Sequence, residues 1–364
     1  MKLVEIFEKV ADFRVINRSW HKLSEILVLS LCALLSGADD FEEIEEYGHQ
    51  KEEFLLGFLE LKNGIPSHDT INRVFRLLDK TSLESCLRTY SQEIMEGLKN
   101  RQINIDGKVL RATGKRGKKT AALCLVNAWV AESCLSLGQV KVNKKSNEKT
   151  AIPEIIENID IKGALVSIDA MGCDKKIADL IRENEGEYLL ALKKNQKGHY
   201  EEVHDWMKSR KDTMISFEQQ DYVGGRIEKR RTYVTQNLTY IDESLDWRDS
   251  TSIIMVEGER KFKNGEQKDT FQTRFYISSA TGDAEYFGAA VRNHWSIENQ
   301  LHWFLDIIFN EDRQRVREGN APDNMAIMRK MALQILLQNK GSSSLKKVRK
   351  RAAWNDDLLL KMLF

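Results

Sequence analysis

Three acids stand where a carboxylate is costly unless something charged meets it. Asp106 interrupts the apolar, alternating run INIDGKVL, Asp169 closes the apolar run ALVSIDA, and Glu298 lies in the helical stretch EYFGAAVRNHWSIENQLHWFLDIIF. An ionised carboxylate in apolar surroundings is unfavourable unless paired, and a metal ion is one such partner. Mg2+ and Mn2+ prefer hard oxygen ligands and keep several waters, so a few carboxylates on rigid elements suffice. Two such ions about 3.5–4 Å apart activate an attacking oxygen and stabilise the leaving oxygen of an in-line displacement at phosphorus. A structural aspartate satisfied by local donors explains either strand acid taken singly. Two acids on neighbouring strands with a glutamate on a following helix point instead to metal-dependent phosphoryl transfer, with Asp106, Asp169 and Glu298 as the ligands.

His294, Glu298 and His302 recur every four residues, one face of a regular helix. That stripe suits a zinc hydrolase with tightly held metal, or groups that contact phosphate or hold Glu298. It also suits a partly buried polar stripe between Trp295 and Trp303. Basic residues crowd the same neighbourhood. Lys108 and Arg111 follow Asp106, and Lys115, Arg116, Lys118 and Lys119 fill the next turn. Lys144, Lys145, Lys193, Lys194 and Lys197 flank other strand ends, with Asn195 and Gln196 among them. Phosphate neutralisation dominates DNA affinity, so a basic rim beside an acid site suits a polyanionic substrate; a solvated turn accounts for the same residues. Arg226, Lys229, Arg230 and Arg231 give a second basic stretch, and Lys346–Arg351 a third that reads as a solvated run.

These groups need elements to hold them. Residues 1–100 read as helical, with Leu23–Leu35 apolar on nearly every side and therefore buried. Pro66 and Ser67 open a further helix carrying Thr70, Arg73 and Arg76 on one flank, either a DNA-contacting helix or a capped bundle helix. From residue 101 the pattern turns to strands: INIDGKVLRAT, AALCLVNAWVAE and CLSLGQVKV form an antiparallel meander. A helix opened by Pro153, the strand ALVSIDA, the helix DKKIADLIREN and the strand EYLLALKK follow. Three strands and then α-β-α-β is the order of an RNase H-like α/β core. Residues 200–285 read as a β-rich insertion outside that core, and the long helix with Glu298 comes after it. The expected domains are a helical one over 1–100, a catalytic one over 101–335 and a basic helical tail over 336–364.

Composition narrows the class further. With 41% hydrophobic residues, the 364-residue chain can bury a sizeable core, and its net charge of +1 does not by itself announce a nucleic-acid binder. Only 3 prolines and 21 glycines argue against long linkers. Five scattered cysteines without a C-x-x-C pair read as reduced, cytoplasmic thiols, not a zinc cage. The longest apolar run is about a dozen residues, short of the roughly 20 that span a bilayer.

The segments IDGKVLRATGKRG, VNKKSNEKTAIPEIIENIDIKGALVSIDAMGC, YLLALKKNQ and RNHWSIENQLHWFLDIIFNEDR together resemble the H-repeat-associated insertion-sequence transposases. These belong to the DDE group with a β-strand insertion in an RNase H-like fold. GIPSHDTINRVF resembles the end of that family's N-terminal associated domain. The resemblance runs over nearly the whole chain, and IDAMGC and HWSIENQLHW are its most specific parts. It implies that Asp106, Asp169 and Glu298 are the DDE triad, working with two Mg2+ or Mn2+ ions. The implied substrates are the element's terminal inverted repeats and target DNA, bound by a homodimer or larger assembly at the nucleoid. Many relatives carry Tyr, Arg, Glu and Lys at fixed steps on the last catalytic helix. Here Arg292 precedes Glu298 by six residues, and Leu305 occupies the lysine position. The phosphate-contacting roles therefore do not transfer position by position, and Arg292 or Asn299 is the expected substitute. Two alternatives share the fold: a nuclease that no longer transposes, and a catalytically silent DNA-binding protein.

Overall fold

Residues 3–15, 19–95, 97–114, 121–142, 148–239, 247–262 and 269–364 are described by the structure, a computed structural model. Helices come first: α1 (Leu3–Glu8), α2 (Leu23–Ser36), α3 (Phe41–Gln50), α4 (Glu52–Leu56), α5 (His68–Leu77) and α6 (Lys80–Ile94). Three strands follow, β1 (Gln102–Leu110), β2 (Leu123–Val130) and β3 (Leu135–Lys141). Then come α7 (Glu148–Glu157), β4 (Leu165–Ile168), α8 (Lys175–Glu183), β5 (Glu187–Leu192) and α9 (Lys197–Arg210). Next are β6 (Ser216–Val223), β7 (Arg226–Thr235), β8 (Ser252–Phe262) and β9 (Thr270–Ser278). The chain ends in α10 (Ala284–His294), a π-helical turn (Ile297–His302), α11 (Trp303–Phe309), α12 (Ala321–Gln338), α13 (Leu345–Trp354) and α14 (Asp356–Leu363). The expected order, three strands and then helix-strand-helix-strand, is present in a mixed α/β chain with a helical N-terminal region.

The chain divides into two units. One comprises Met1–Gly97, Gly107–Lys144 and Glu298–Phe364, the other Leu98–Asp106 and Lys145–Ile297, so β1 starts in the second and ends in the first. The first unit is built around α12, every residue of which from Ala321 to Leu337 is buried. It packs on α2, α5, α6 and β3, and α2 is buried from Leu23 to Leu35 apart from its Ser24 position. Polar groups inside such a helix must be satisfied. Asn324 donates to the main-chain oxygens of Phe75 and Leu78, both at 2.9 Å, and Gln334 to Ser136 O at 2.9 Å. Lys330 donates to Gln139 Oε1 at 2.6 Å. β2 and β3 form an antiparallel hairpin with an irregularity at Ala128/Trp129. Helix α5 opens as expected, with the Ser67 side chain accepting from Thr70 N–H.

In the second unit β1, β4 and β5 are parallel neighbours, and β9, β8, β7 and β6 continue from β5 in that order, all antiparallel. The strands expected to form an insertion outside the core therefore extend the core sheet. Leu189 and Leu190 of β5 pair with Ser278 and Ile277 of β9, and Leu189, Ile254 and Tyr276 share a buried cluster with Phe287 and Val291 of α10. Charged strands extend a sheet readily where one face alternates apolar, as Ile253, Met255 and Phe275 do here. Two local expectations also change. Pro153 lies inside α7 rather than at its start, and Lys197–Arg210 forms a helix where strand-like pieces were expected. All five cysteines are free thiols. No helix among the described residues is long and apolar enough to cross a membrane.

Candidate active site

In the second unit, β1 and β4 run parallel with Gln102 opposite Leu165 and Ile105 opposite Ile168. The next residue on each strand is an aspartate, Asp106 and Asp169. Neighbouring strands lie about 4.8 Å apart and register partners in a parallel pair share a face; both strands carry an aspartate just past their last register pair. Both are half-buried. Asp169 also caps the short 3-10 turn Ala170–Gly172, its Oδ1 accepting from Met171 N at 3.0 Å and Gly172 N at 3.4 Å. Those bonds orient the carboxylate through Oδ1, and Oδ2 is the oxygen left to coordinate a cation. The turn closes tightly: a Cβ on Gly172 would sit 2.4 Å from Ile168 Cγ2 and 2.6 Å from Ile152 Cδ1. Two oriented carboxylates on adjacent rigid strands are a hard-oxygen donor set that fits Mg2+ or Mn2+.

Strand alternation places Gln102, Asn104 and Asp106 on one face of β1, and Ser167 and Asp169 on the same face of β4. Beneath the aspartates the polar residues form a buried network with the end of α10. Gln102 Nε2 donates to Asn104 Oδ1 (2.8 Å), Ser167 Oγ (3.1 Å) and Ala290 O (2.9 Å). Asn104 Nδ2 donates to Asn293 O at 3.2 Å and Ser296 Oγ at 3.1 Å. The Ser167 hydroxyl donates to Asn104 Oδ1 at 2.6 Å and lies 2.9 Å from His294 Nδ1. Because the one hydroxyl proton goes to Asn104, His294 Nδ1–H is the donor in the second contact. Burial holds the His294 ring down to about 4, and the nearby Arg274 charge adds to it, so the ring is neutral at physiological pH. The sequence reading singled out His294 but passed over Gln102, Asn104, Ser167, Asn293 and Ser296. For Gln102 and Asn104 the signal is the polar alternation within QINID.

Glu298 belongs to the other unit, where it is exposed on the π-helical turn Ile297–His302. The single regular helix expected here is interrupted, and the four-residue stripe goes with it. His294 ends α10 in the Ser167 network, whereas the buried His302 ring accepts from Asn127 Nδ2 at 3.3 Å within its own unit. Burial pushes His302 down to about 3, with the Lys108 and Lys330 charges acting in the same direction. Among the described residues no group of three or more His, Cys, Asp or Glu side chains is arranged to hold a metal ion. Neither the zinc stripe His294, Glu298 and His302 nor the triad Asp106, Asp169 and Glu298 forms such a group among the described residues.

The expected DNA-contacting residues fare unevenly. Lys108 is 7% exposed and paired with Asp306 at 2.6 Å and Glu311 at 3.0 Å, so its charge is spent inside its unit and not on DNA. Arg111 is 84% exposed, with Asp312 at 3.7 Å. Lys193, Lys194, Arg292, Asn299 and Arg73 are exposed. Arg292 lines a groove with Arg274, whose guanidinium stacks 4.5 Å from the Trp295 ring centroid. Arg73 and Thr70 line a second pocket with Trp20. Lys115, Arg116, Lys118, Lys119, Lys144 and Lys145 lie outside the described residues, as do the side chains of Asn195 and Lys197. Arg226, Lys229 and Arg230 pair with Glu228, Glu218 and Asp221 at 2.7, 2.8 and 2.6 Å, and Arg231 pairs with Glu218. In the last basic run Arg349 is turned inward, onto Asp39 at 3.2 Å and the Phe309 ring at 4.5 Å.

Comparison with known proteins matches residues 97–335 to the family model described as "Transposase DDE domain" and residues 4–91 to one described as "DDE_Tnp_1-associated". The chain is similar to "Putative transposase YncI" of Escherichia coli O157:H7, with 38% identity over 97% of this chain and 92% of that protein. It is 34% identical to "H repeat-associated putative transposase YhhI" of Escherichia coli strain K12, over 100% of this chain and 97% of that protein. Among solved structures, a piggyBac transposase synaptic complex with hairpin DNA aligns with a TM-score of 0.45 and 9% identity, covering 100% of this chain and 77% of that one.

Proposed function

Because the chain belongs to the DDE transposases, in their H-repeat-associated branch with its RNase H-like fold, we propose that it cuts DNA at insertion-sequence ends and joins the freed 3′ ends to target DNA. The observation that carries this reading is the parallel register of β1 and β4, which ends with Ile105 opposite Ile168, each followed in sequence by an aspartate, Asp106 and Asp169. Asp106 and Asp169, completed by Glu298, are the residues that would hold divalent ions. Bound there, Mg2+ or Mn2+ would activate the attacking oxygen and stabilise the leaving one. The protein's own work is positional. The Met171 and Gly172 N–H groups orient Asp169, and the Gln102–Asn104–Ser167–His294 network holds both strands against α10. No covalent intermediate on the protein is required, so the reading assigns no nucleophilic role to a serine, tyrosine or cysteine.

DNA is bound by exposed cations with no ion-pair partner among the described residues, above all Arg73 on α5, Arg292, and Lys193 and Lys194 just after β5. Holding two element ends at once calls for a dimer or larger assembly on DNA. The test is cleavage of a supercoiled plasmid carrying the element's flanking repeats, with Mg2+ or Mn2+, by wild type and Asp169→Ala. Metal-dependent cutting at the repeat boundary that the variant lacks is the expected result. Equal nicking by both proteins would place the chemistry elsewhere. Specific repeat binding with no cutting by either would leave a DNA-binding protein without the enzyme.

A further inference from the structure

Glu298 stands on a π-helical turn, and such turns need external support. Their hydrogen bonding is less favourable than that of an α-helix, and they occur mostly as single turns at functional sites. Where the ladder changes spacing, main-chain oxygens are open to side-chain donors. Lys108 is such a donor. Its Nζ reaches the main-chain oxygen of His302, the last residue of the turn, at 3.1 Å. The same ammonium donates to Asp306 Oδ1 of α11 at 2.6 Å and lies 3.0 Å from Glu311 Oε2. Glu311 is fully buried. The His302 side chain is held separately, by Asn127 of β2 at 3.3 Å. One buried cation thus gathers three acceptors, all from the segment that begins with Glu298.

We infer that Lys108 is a positioning residue for Glu298, its ammonium fixing the π-helical turn to β1 two residues beyond Asp106. The inference rests on the reading of Glu298 as a metal ligand. A buried ion pair adds little net stability compared with well-packed apolar groups of the same volume, because desolvating the charges offsets their attraction. What it does supply is a single geometry. A hydrocarbon at position 108 would fill space without specifying where the His302 carbonyl must sit, and the carboxylate four residues earlier would lose its fixed place.

Mn2+ titration by calorimetry, beside single-turnover cleavage, separates positioning from folding. Lys108→Met alone leaves Glu311 buried without its cation and is expected to unfold. The informative protein is therefore the double variant Lys108→Met with Glu311→Gln, run with Lys108→Arg and Glu298→Gln. Groups that orient metal ligands typically contribute roughly 10- to 100-fold in metal affinity or rate. A loss of that size is expected in the double variant, with the thermal midpoint and metal-free affinity for end DNA close to wild type. Lys108→Arg, which keeps the charge in a different shape, is expected to recover part of it. A folded double variant with wild-type Mn2+ affinity and rate overturns the inference. Should that protein not fold, wild-type values for Lys108→Arg overturn it equally. If Glu298→Gln binds Mn2+ and cuts like wild type, the triad reading fails and takes this inference with it. A dead Glu298→Gln beside a wild-type-like double variant removes only the role of Lys108.

Discussion

An acid that must bind a cation reproducibly depends on the residues that keep its strand from shifting. For Asp169 the nearest of these on β4 is Ser167, two residues earlier on the same face. Its hydroxyl donates to Asn104 Oδ1 and accepts from His294 Nδ1–H, so Ser167→Ala leaves polar atoms buried without one partner. A buried group deprived of its hydrogen bond costs about 1–3 kcal/mol. Urea unfolding of Ser167→Ala should show a loss in that range, together with slower cleavage; a loss under about 0.5 kcal/mol would mean that the neighbours pair among themselves. The placing of Asp106 in one strand and Asp169 at the end of its neighbour is legible in the sequence, because each acid ends or interrupts an apolar run. Lys108 was not legible. A lysine two residues beyond an acid reads as a free cation, and its true partners, Asp306 and Glu311, lie on elements far along the chain. Sequence spacing carries charge but not burial.

Elements confer the geometry that single residues cannot. The 3-10 turn after β4 brings the Met171 and Gly172 N–H groups onto Asp169, and it closes only because residue 172 has no side chain. Gly172→Ala would push a methyl group against Ile168 and Ile152, both packed in the core. Overpacking of this kind typically costs about 1–3 kcal/mol and is relieved by backbone movement. The variant should therefore show both a lower urea midpoint and a weakened Mn2+ affinity. A lower midpoint with unchanged metal affinity would mean that the turn yields without moving Asp169. That turn is readable in the sequence, since the glycine of IDAMGC lets the chain close directly after the strand. Other elements were not. A helix spanning Glu298 has the same residue pattern whether its hydrogen bonds step by four or by five, so the π-helical turn and the parting of His294 from His302 had no sequence signal. The strands β6–β9 look detached because their charged residues pair across the sheet, as Lys229 does with Glu218, and charge content alone marks a strand as peripheral.

At the scale of the molecule, each unit contains a histidine that burial holds far below its ordinary value, and this links stability to pH. His294 is held near 4 and His302 near 3, both by burial, against an ordinary value of 6.5. Between those values and 6.5 the unfolded chain takes up protons that the folded chain refuses. Stability is therefore lost as pH falls below about 6.5, by about 1.4 kcal/mol per pH unit for each ring while it lasts. Lys330 acts in the opposite window. Burial lowers it to about 8 from 10.5, so the folded chain releases its proton first and stability rises with pH between those values. Carboxylates that titrate at lower pH contribute to acid unfolding too, so the slope of the wild type alone is not diagnostic. The difference between proteins is. His294→Asn and His302→Asn keep a hydrogen-bonding group without a titrating ring, and each should flatten the dependence of the urea midpoint on pH between 6.5 and 4.5. Because His294 and His302 belong to different units, unfolding that proceeds in two steps should show each variant flattening one step and not the other. If both variants keep the full wild-type slope, the rings are protonated in the folded chain. The neutral Nδ1–H donor assigned to His294 in the network beneath Asp106 and Asp169 would then be wrong.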